Sequence, residues 1–203
     1  LSSSSAASDV YKRQILGLCF INPSQADEIS DFQIEGISVG DSLLNFTTEK
    51  KIKKNKIFYF KDKDYFTLSY DASNNFKTYE NLQIHVKNND DKFIVAGLEG
   101  ALMLNKKYSE CKKKKKEIEN ELKSIFSNLK FKNIGEEVQK NVRRQTSSHL
   151  YFNTSIFDGS VIIVQCTKFN KKIKDSKGWK DHLRVVINSE ELNKFLYKNS
   201  PAY

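Results

Sequence analysis

Apolar residues recur along this chain at two periods. Two short runs, Asp31 to Gly36 and Glu80 to Val86, alternate apolar with polar, several others are short strand-like runs of apolar residues, and one long stretch repeats at threes and fours instead. The long stretch runs from Tyr108 to Leu129. In it Cys111, Lys115, Ile118, Leu122, Ile125 and Leu129 fall on one line, which predicts an amphipathic helix roughly 33 Å long with a lysine set into its apolar stripe. The alternating runs predict strands. Asp31 to Gly36 reads as a short one, and Asp41 or Ser42 then caps a helix that starts at Leu43 and continues weakly into the lysines after Glu49. Lys56 to Phe60 and Tyr65 to Tyr70 read as two more strands, followed by a turn cluster from Asp71 to Asn75. Glu80 to Val86 turns through Asn88 to Asp91 and returns as Phe93 to Leu98, an antiparallel meander.

The C-terminal half repeats the theme. Leu150 to Ile156 and Ser160 to Cys166 flank Asp158-Gly159, a short hairpin signal. His182 to Ile187 reads as a last strand. Ser189 caps a final helix whose apolar side holds Leu192, Phe195 and Leu196. Phe131 to Ser148 has no single period; it reads as a short helix around Glu136 to Val142 and leaves room for a sub-boundary near 130–148. Lys168 to Lys177 reads as a basic loop. Strand runs parted by helices, without regular β-α-β alternation, predict an α+β fold: an antiparallel β-meander packed by a long amphipathic helix, followed by a β-hairpin, a further strand and a C-terminal helix. The pattern leaves open whether the two strand groups share a sheet.

The first residues belong to something else. Residues 1–14, ending Ser8-Asp9-Val10-Tyr11-Lys12-Arg13-Gln14, resemble a translated sequencing adapter and are set aside. Residues 15–26 read as a signal-peptide remnant. Ile15 to Ile21 is apolar but too short to span a bilayer, Pro23 breaks it, and Ser24 and Ala26 are the small residues a signal peptidase needs before its cut. Leu18 occupies the place before Cys19 where lipidation wants a small residue. The reading is a mature domain over 27–203, periplasmic or secreted after cleavage near Ala26, with no later segment apolar enough for a transmembrane helix. Its length of about 180 residues suits one domain with a real core.

Export changes the meaning of the cysteines. Loss of Cys19 leaves Cys111 and Cys166, and an even pair in an oxidising compartment predicts one disulfide. Export also changes the meaning of the charge. A net charge of +9 invites nucleic acid. Only four of the 34 basic residues are Arg, however, and Arg makes the bidentate phosphate and base contacts. The Lys112–Lys116 run wraps a helix rather than lining one face, with Glu117, Glu119 and Glu121 close by to pair with it. The composition therefore argues against nucleic acid and for attraction to an anionic surface or an envelope protein.

The stretch from Phe32 to Leu44, with Gln165-Cys166-Thr167 and Asp181-His182-Leu183-Arg184-Val185, resembles small exported proteins of Pelagibacter-type marine alphaproteobacteria. The resemblance implies an exported protein and brings no particular activity.

Catalytic signatures are sparse. The chain has no His-Glu-x-x-His, P-loop, Gly-x-Gly-x-x-Gly or Gly-x-Ser-x-Gly, so no cofactor or metal is expected. The three histidines, His85, His149 and His182, lie far apart in sequence. Asp181-His182-x-Arg184 is the best catalytic candidate, because His182 and Arg184 share one face of a strand and could bind a carboxylate or act as acid-base and anchor. An exposed strand face explains the same residues. Trp179 and Lys180 are candidates for a surface contact. The reading that follows is a non-enzymatic envelope-associated binding or accessory protein. Its alternatives are a small periplasmic hydrolase or ligand-binding enzyme using His182, Arg184 and His149, and a nucleic-acid binder using Lys112–Lys116.

Overall fold

The computed structural model describes residues 29, 32–71, 76–103, 108–126, 128–139, 144–152 and 159–199, without the side chains of 139 and 149. The adapter-like stretch, the signal-peptide reading with its cut near Ala26, the 72–75 turn and Asp158 lie outside these residues.

The chain opens with a two-residue hairpin, β1 (Gln33–Ile34) and β2 (Ile37–Ser38). Glu35 and Gly36 between them both take positive φ, 54° and 80°, the geometry of the tight hairpin turns that favour Gly. The turn aims Glu35 at the loop of residues 77–79. Its carboxylate accepts the backbone N–H groups of Lys77 (2.9 Å), Thr78 (2.8 Å) and Tyr79 (2.9 Å), so a charged acceptor ties the N-terminal segment to a distant loop. The expected helix from Ser42 is split in two. Ser42 caps a single 3-10 turn, Leu43–Asn45, and Thr48 then caps α1 (Glu49–Lys54). The split falls at Thr48, whose extended backbone (φ −88°, ψ 148°) interrupts the helix, while Leu43 is buried in the core with its N–H on Phe93 O at 3.1 Å. That tertiary bond holds the turn in place, and the chain leaves it before restarting.

Seven strands then form one antiparallel sheet. In chain order they are β3 (Tyr65–Asp71), β4 (Asn81–Lys87), β5 (Val95–Met103), β6 (Lys130–Gln139), β7 (Arg144–Phe152), β8 (Val161–Phe169) and β9 (His182–Asn188). Their order across the sheet is β3-β4-β5-β9-β8-β7-β6. Two meanders thus share one sheet, joined by β5 and β9 with Leu98 opposite Ile187 and Ala101 opposite Arg184. The connection between the meanders is α2 (Tyr108–Ile125), which packs on β8 and β9. Cys111 on α2 and Cys166 on β8 form a disulfide, with Cα atoms 5.9 Å apart.

The alternation of β9 separates two faces. Leu183, Val185 and Ile187 point to the core face, where they meet Ile162 and Val164 of β8 and Ile118 and Leu122 of α2. Beside α2 on that face lies the N-terminal segment, whose Phe32, Ile34, Leu43 and Ile52 cover Phe66, Leu68, Leu82 and Ile84. Phe32 and Phe126 touch at 6.2 Å and close the seam between the two covers. The outer face carries α4 (Glu190–Asn199), capped by Ser189 as expected. Leu192 packs over Gly97, and Phe195 meets Tyr65 and Phe60. The α+β class, the long helix, the C-terminal strands and the final helix all stand as the pattern predicts.

Besides the split helix at Ser42, three local expectations do not. Lys56–Phe60 is not a strand: only Ile57 pairs, with Thr67, while Phe58 and Tyr59 are exposed and Lys56 sits 4.3 Å over the Phe66 ring. The segment read as a helix around Glu136 is an edge strand, since Glu136 pairs with Ser147 and Val138 with Gln145. Gly135 at φ 73° and a register shift between Asn133 and Gly135 break its alternation, which hid the strand from periodicity. The basic loop contains α3 (Lys171–Lys177), capped by Asn170 and closed by Gly178 in the left-handed region. None of its residues is buried, so no apolar period marked it.

Candidate functional site

β9 places His182 and Arg184 two residues apart on the outer face, as alternation requires, and both side chains are half-buried. Neither is idle. Arg184 Nη1 reaches Glu99 Oε2 at 3.0 Å, and its Nε donates to Gln165 Oε1 at 2.8 Å. Gln165 Nε2 in turn donates to Ser148 Oγ at 2.7 Å. The result is a lateral polar chain over β5, β9, β8 and β7, with the guanidinium neutralised by a carboxylate. His182 Nδ1 lies 3.0 Å from the Lys180 carbonyl, which can only accept, so the proton sits on Nδ1. Asp181 is directed elsewhere. Its carboxylate accepts from the Phe169 N–H (2.9 Å) and from Lys174 Nζ (2.7 Å), pinning α3 to the end of β8. Trp179 is 51% exposed and leans on Phe169, with ring centres 5.1 Å apart, while Lys180 is exposed.

His85 joins this patch from β4, across the sheet. Its Nδ1 is 2.9 Å from Thr67 Oγ1. Burial pulls its pKa below 6.5 against the attraction of Glu99, with Arg184 adding to the fall. Burial lowers His182 in the same way, against the Lys180 carbonyl. Both imidazoles are therefore neutral at pH 7. His149 lies on β7, and its side chain is outside the described residues. Cross-strand register is what brought Glu99, Gln165 and His85 to Arg184; a single sequence gives no register, so sequence reading missed the first two.

The lysine run divides. Lys115 is only 5% exposed and donates to the buried Ser147 Oγ at 2.6 Å. Burial lowers its pKa, against Glu119. Lys112 pairs with Glu136 at 2.7 Å and Lys116 with Glu119 at 3.1 Å. The run is spread around the helix, with one member inside the protein. Among the described residues no cluster of His, Cys, Asp and Glu could hold a metal ion, and no helix is long and apolar enough to cross a membrane.

A concave site lies on the core face at the β3 edge, where the N-terminal cover does not meet the sheet. It is an open cleft of about 490 Å³. Its floor is Ile37, Leu43, Leu82 and Ile84, all buried. Phe46, Tyr70 and Phe76 wall it, with the Tyr70 and Phe76 rings edge to face at 6.5 Å. Thr47, Lys51, Asn55 and Ser69 form the rim. Glu35 fixes one side by holding the loop before β4, and the bonds of Gly40 and Leu43 to Val95 and Phe93 fix the other. Phe46 is 48% exposed at the mouth. The sequence pattern places Phe46 only in an expected helix, so nothing in it pointed to this cleft.

Neither a protein-family model nor a curated protein matches the sequence. Among solved structures, the Saccharomyces cerevisiae Ran-binding protein Mog1p aligns over 72% of this chain and 84% of its own, with 14% identity and a TM-score of 0.29. A likeness at that score carries no argument about this chain.

Proposed function

We propose that the protein is an exported envelope-associated binding or accessory protein that uses the cleft between its N-terminal segment and the first meander. The observation that carries the reading is the cleft itself: an open concavity of about 490 Å³ with an apolar floor and a few polar groups at its rim, within the range of about 300–1,000 Å³ typical of ligand sites. The catalytic candidates support it from the other side, because Asp181, His182 Nδ1 and Arg184 spend their polar groups on the fold. The Cys111–Cys166 disulfide supports export, since such bonds persist in oxidising compartments. The cell-envelope assignment also rests on the leader reading and on the resemblance to marine exported proteins. The net charge of +9 favours an anionic surface or partner.

The test has two parts. The protein exported from a bacterial host is weighed intact, with thiols alkylated before and after reduction. A chain starting near Asp27 with two thiols released only by reduction is expected; an uncleaved intracellular chain with free thiols overturns the compartment. A photo-crosslinker at Thr47 is then expected to capture an envelope component that the same group at Lys113 on α2 does not. Equal capture from both positions overturns the cleft as the binding site.

A further inference from the structure

We propose that the cleft binds a single-chain amphiphile with an anionic head, its chain on the floor of Ile37, Leu43, Leu82 and Ile84 and its head at Lys51. The proposal rests on the binding reading above and names its ligand class. The lining sets the chemistry. The four aliphatic side chains close the base and are themselves 1–7% exposed, so the apolar surface open to a chain lies mainly on the walls of Phe46, Tyr70 and Phe76, with no charged group at the base. Apolar surface of that kind rewards an alkyl chain by area and asks for no directional partner. The rim is different. Among the described residues that line the cleft, Lys51 is the one cation and there is no carboxylate. Lys53, two residues on and on the opposite side of the helix, is taken by Glu49 at 2.5 Å, whereas among the described residues no ion pair holds the Lys51 ammonium. Asn55 and Thr47 add hydrogen-bonding groups beside it. One end of the site therefore wants hydrocarbon and the other wants an anion that accepts hydrogen bonds.

Local structure keeps the two ends in register. Thr48 caps α1 and buries Ile52, which fixes the helix so that Lys51 stands over the cleft. The helix is anchored in the core through Ile52, and the turn before it through Leu43, so the distance from floor to cation is set by packed residues. Exposed Phe46 at the mouth gives the ligand an apolar edge to slide past, and its exposure without a partner is the kind of feature that marks interaction sites when apolar surface gathers in one place.

The test is calorimetric titration of the exported, oxidised protein with octanoate, decanoate and laurate below their micellar concentrations, and with dodecyltrimethylammonium as the cationic counterpart. Affinity is expected to rise about tenfold for each two methylenes until the trough is full. Lys51→Glu is expected to weaken laurate about fivefold or more and to leave or improve the cation. Thr47→Trp fills the rim and is expected to abolish both; Ser69→Trp serves in its place if that variant melts early. Vesicles of phosphatidylglycerol and phosphatidylethanolamine distinguish the source. Sedimentation lost in Thr47→Trp assigns the head to a membrane lipid, and laurate binding without vesicle binding assigns it to a free amphiphile. The proposal is overturned if affinity ignores chain length, if laurate and the cation bind alike, or if the Trp variants bind as the parent does. If those failures come with selective crosslinking at Thr47 intact, the ligand class alone is wrong; if the crosslinks vanish as well, the binding reading fails with it.

Discussion

The two faces of the sheet solve the same problem differently. On the core face β8 and β9 present Ile162, Val164, Cys166, Leu183, Val185 and Ile187, and these are buried under α2 and the N-terminal segment. On the outer face the same two strands present Ile163, Gln165, Thr167, Arg184 and Val186. There the polar members bond sideways, from Ser148 through Gln165 and Arg184 to Glu99. The first face is held by area and by one covalent link, which lose stability in proportion to what is removed. The second is held by mutual satisfaction, where removing one group strands its neighbour. Lys115 is the exception that tests the division, a cation buried on the core face with Ser147 as its hydrogen-bond partner.

The largest effect should come from the covalent link. Replacing both Cys111 and Cys166 with Ala frees a loop of 55 positions, and loop entropy predicts a loss of about 4 kcal/mol in urea unfolding. A loss under about 1 kcal/mol would mean that α2 is held by packing alone. The next effect compares the faces directly, at two glycines of β5. A Cβ on Gly97 would stand 2.4 Å from Leu192 Cδ2 on the outer face, and one on Gly100 would stand 2.7 Å from the Tyr79 ring on the core face. Each Gly→Ala change should cost about 2–3 kcal/mol through overpacking. Hydrogen exchange should separate them. Gly97→Ala should loosen α4 and the end of β9, since Leu192, Asn188 and the Ile187 carbonyl all crowd the new Cβ, while Gly100→Ala should loosen the loop that Glu35 holds. Identical exchange patterns would show that the faces are not independent.

These predictions show which parts of the molecule could be read from sequence. The α2 stripe, the apolar run of β8 after Asp158-Gly159 and the Ser189 cap were legible because each is a local pattern with one physical cause. Cys111 falls on the apolar line of the helix, and an even pair of cysteines in an exported chain predicts the link to Cys166 that the structure contains. What failed to show was everything decided by a partner far along the chain. The β6 strand has an exposed edge and a bulge at Gly135, so its pattern has no period to find. α3 has no buried side at all. Leu43 was drawn into a helix by its neighbours, whereas its real partner is the Phe93 carbonyl. The site divides in the same way. His182 and Arg184 were placed on one face by alternation, but the Glu99 and Gln165 that occupy Arg184 come from other strands. The cleft could not be read at all, because it is the space between two segments.

A smaller loss is expected from the outer network. Arg184→Ala leaves Glu99 and Gln165 without their shared donor, at about 1–2 kcal/mol given that both members of the ion pair keep some contact with water. Lys115→Met on the core face should cost less than this or even stabilise, since a flexible apolar chain replaces a desolvated cation, while the Ser147 hydroxyl loses its hydrogen-bond partner and Glu119 loses one neighbouring positive charge. Double variants of Arg184 and Glu99 should recover part of the single loss. Full additivity would mean that the lateral bonds contribute nothing beyond each residue's own packing.

The smallest effect is also the one that only the outer face should show. His85 and His182 both lie there, and burial lowers both pKa values below 6.5. In the unfolded chain these rings take a proton as pH falls through about 6.5, while the folded protein resists it. The unfolded state then binds more protons, so stability falls with falling pH between that value and the lowered folded one. Glu99 opposes the fall at both histidines and Arg184 deepens it, which makes the effect depend on the ion pair between them. Urea unfolding at pH 7.5 and pH 5.5 should therefore show a loss in the parent, a smaller loss in His85→Gln, and a larger one in Glu99→Gln, where only the cation remains beside the rings. Carboxylates elsewhere also titrate toward the lower pH, so the comparison among variants carries the argument rather than the absolute slope. If His85→Gln and Glu99→Gln track the parent, the acid sensitivity does not arise on the outer face, and the polar chain is as indifferent to pH as the core behind it.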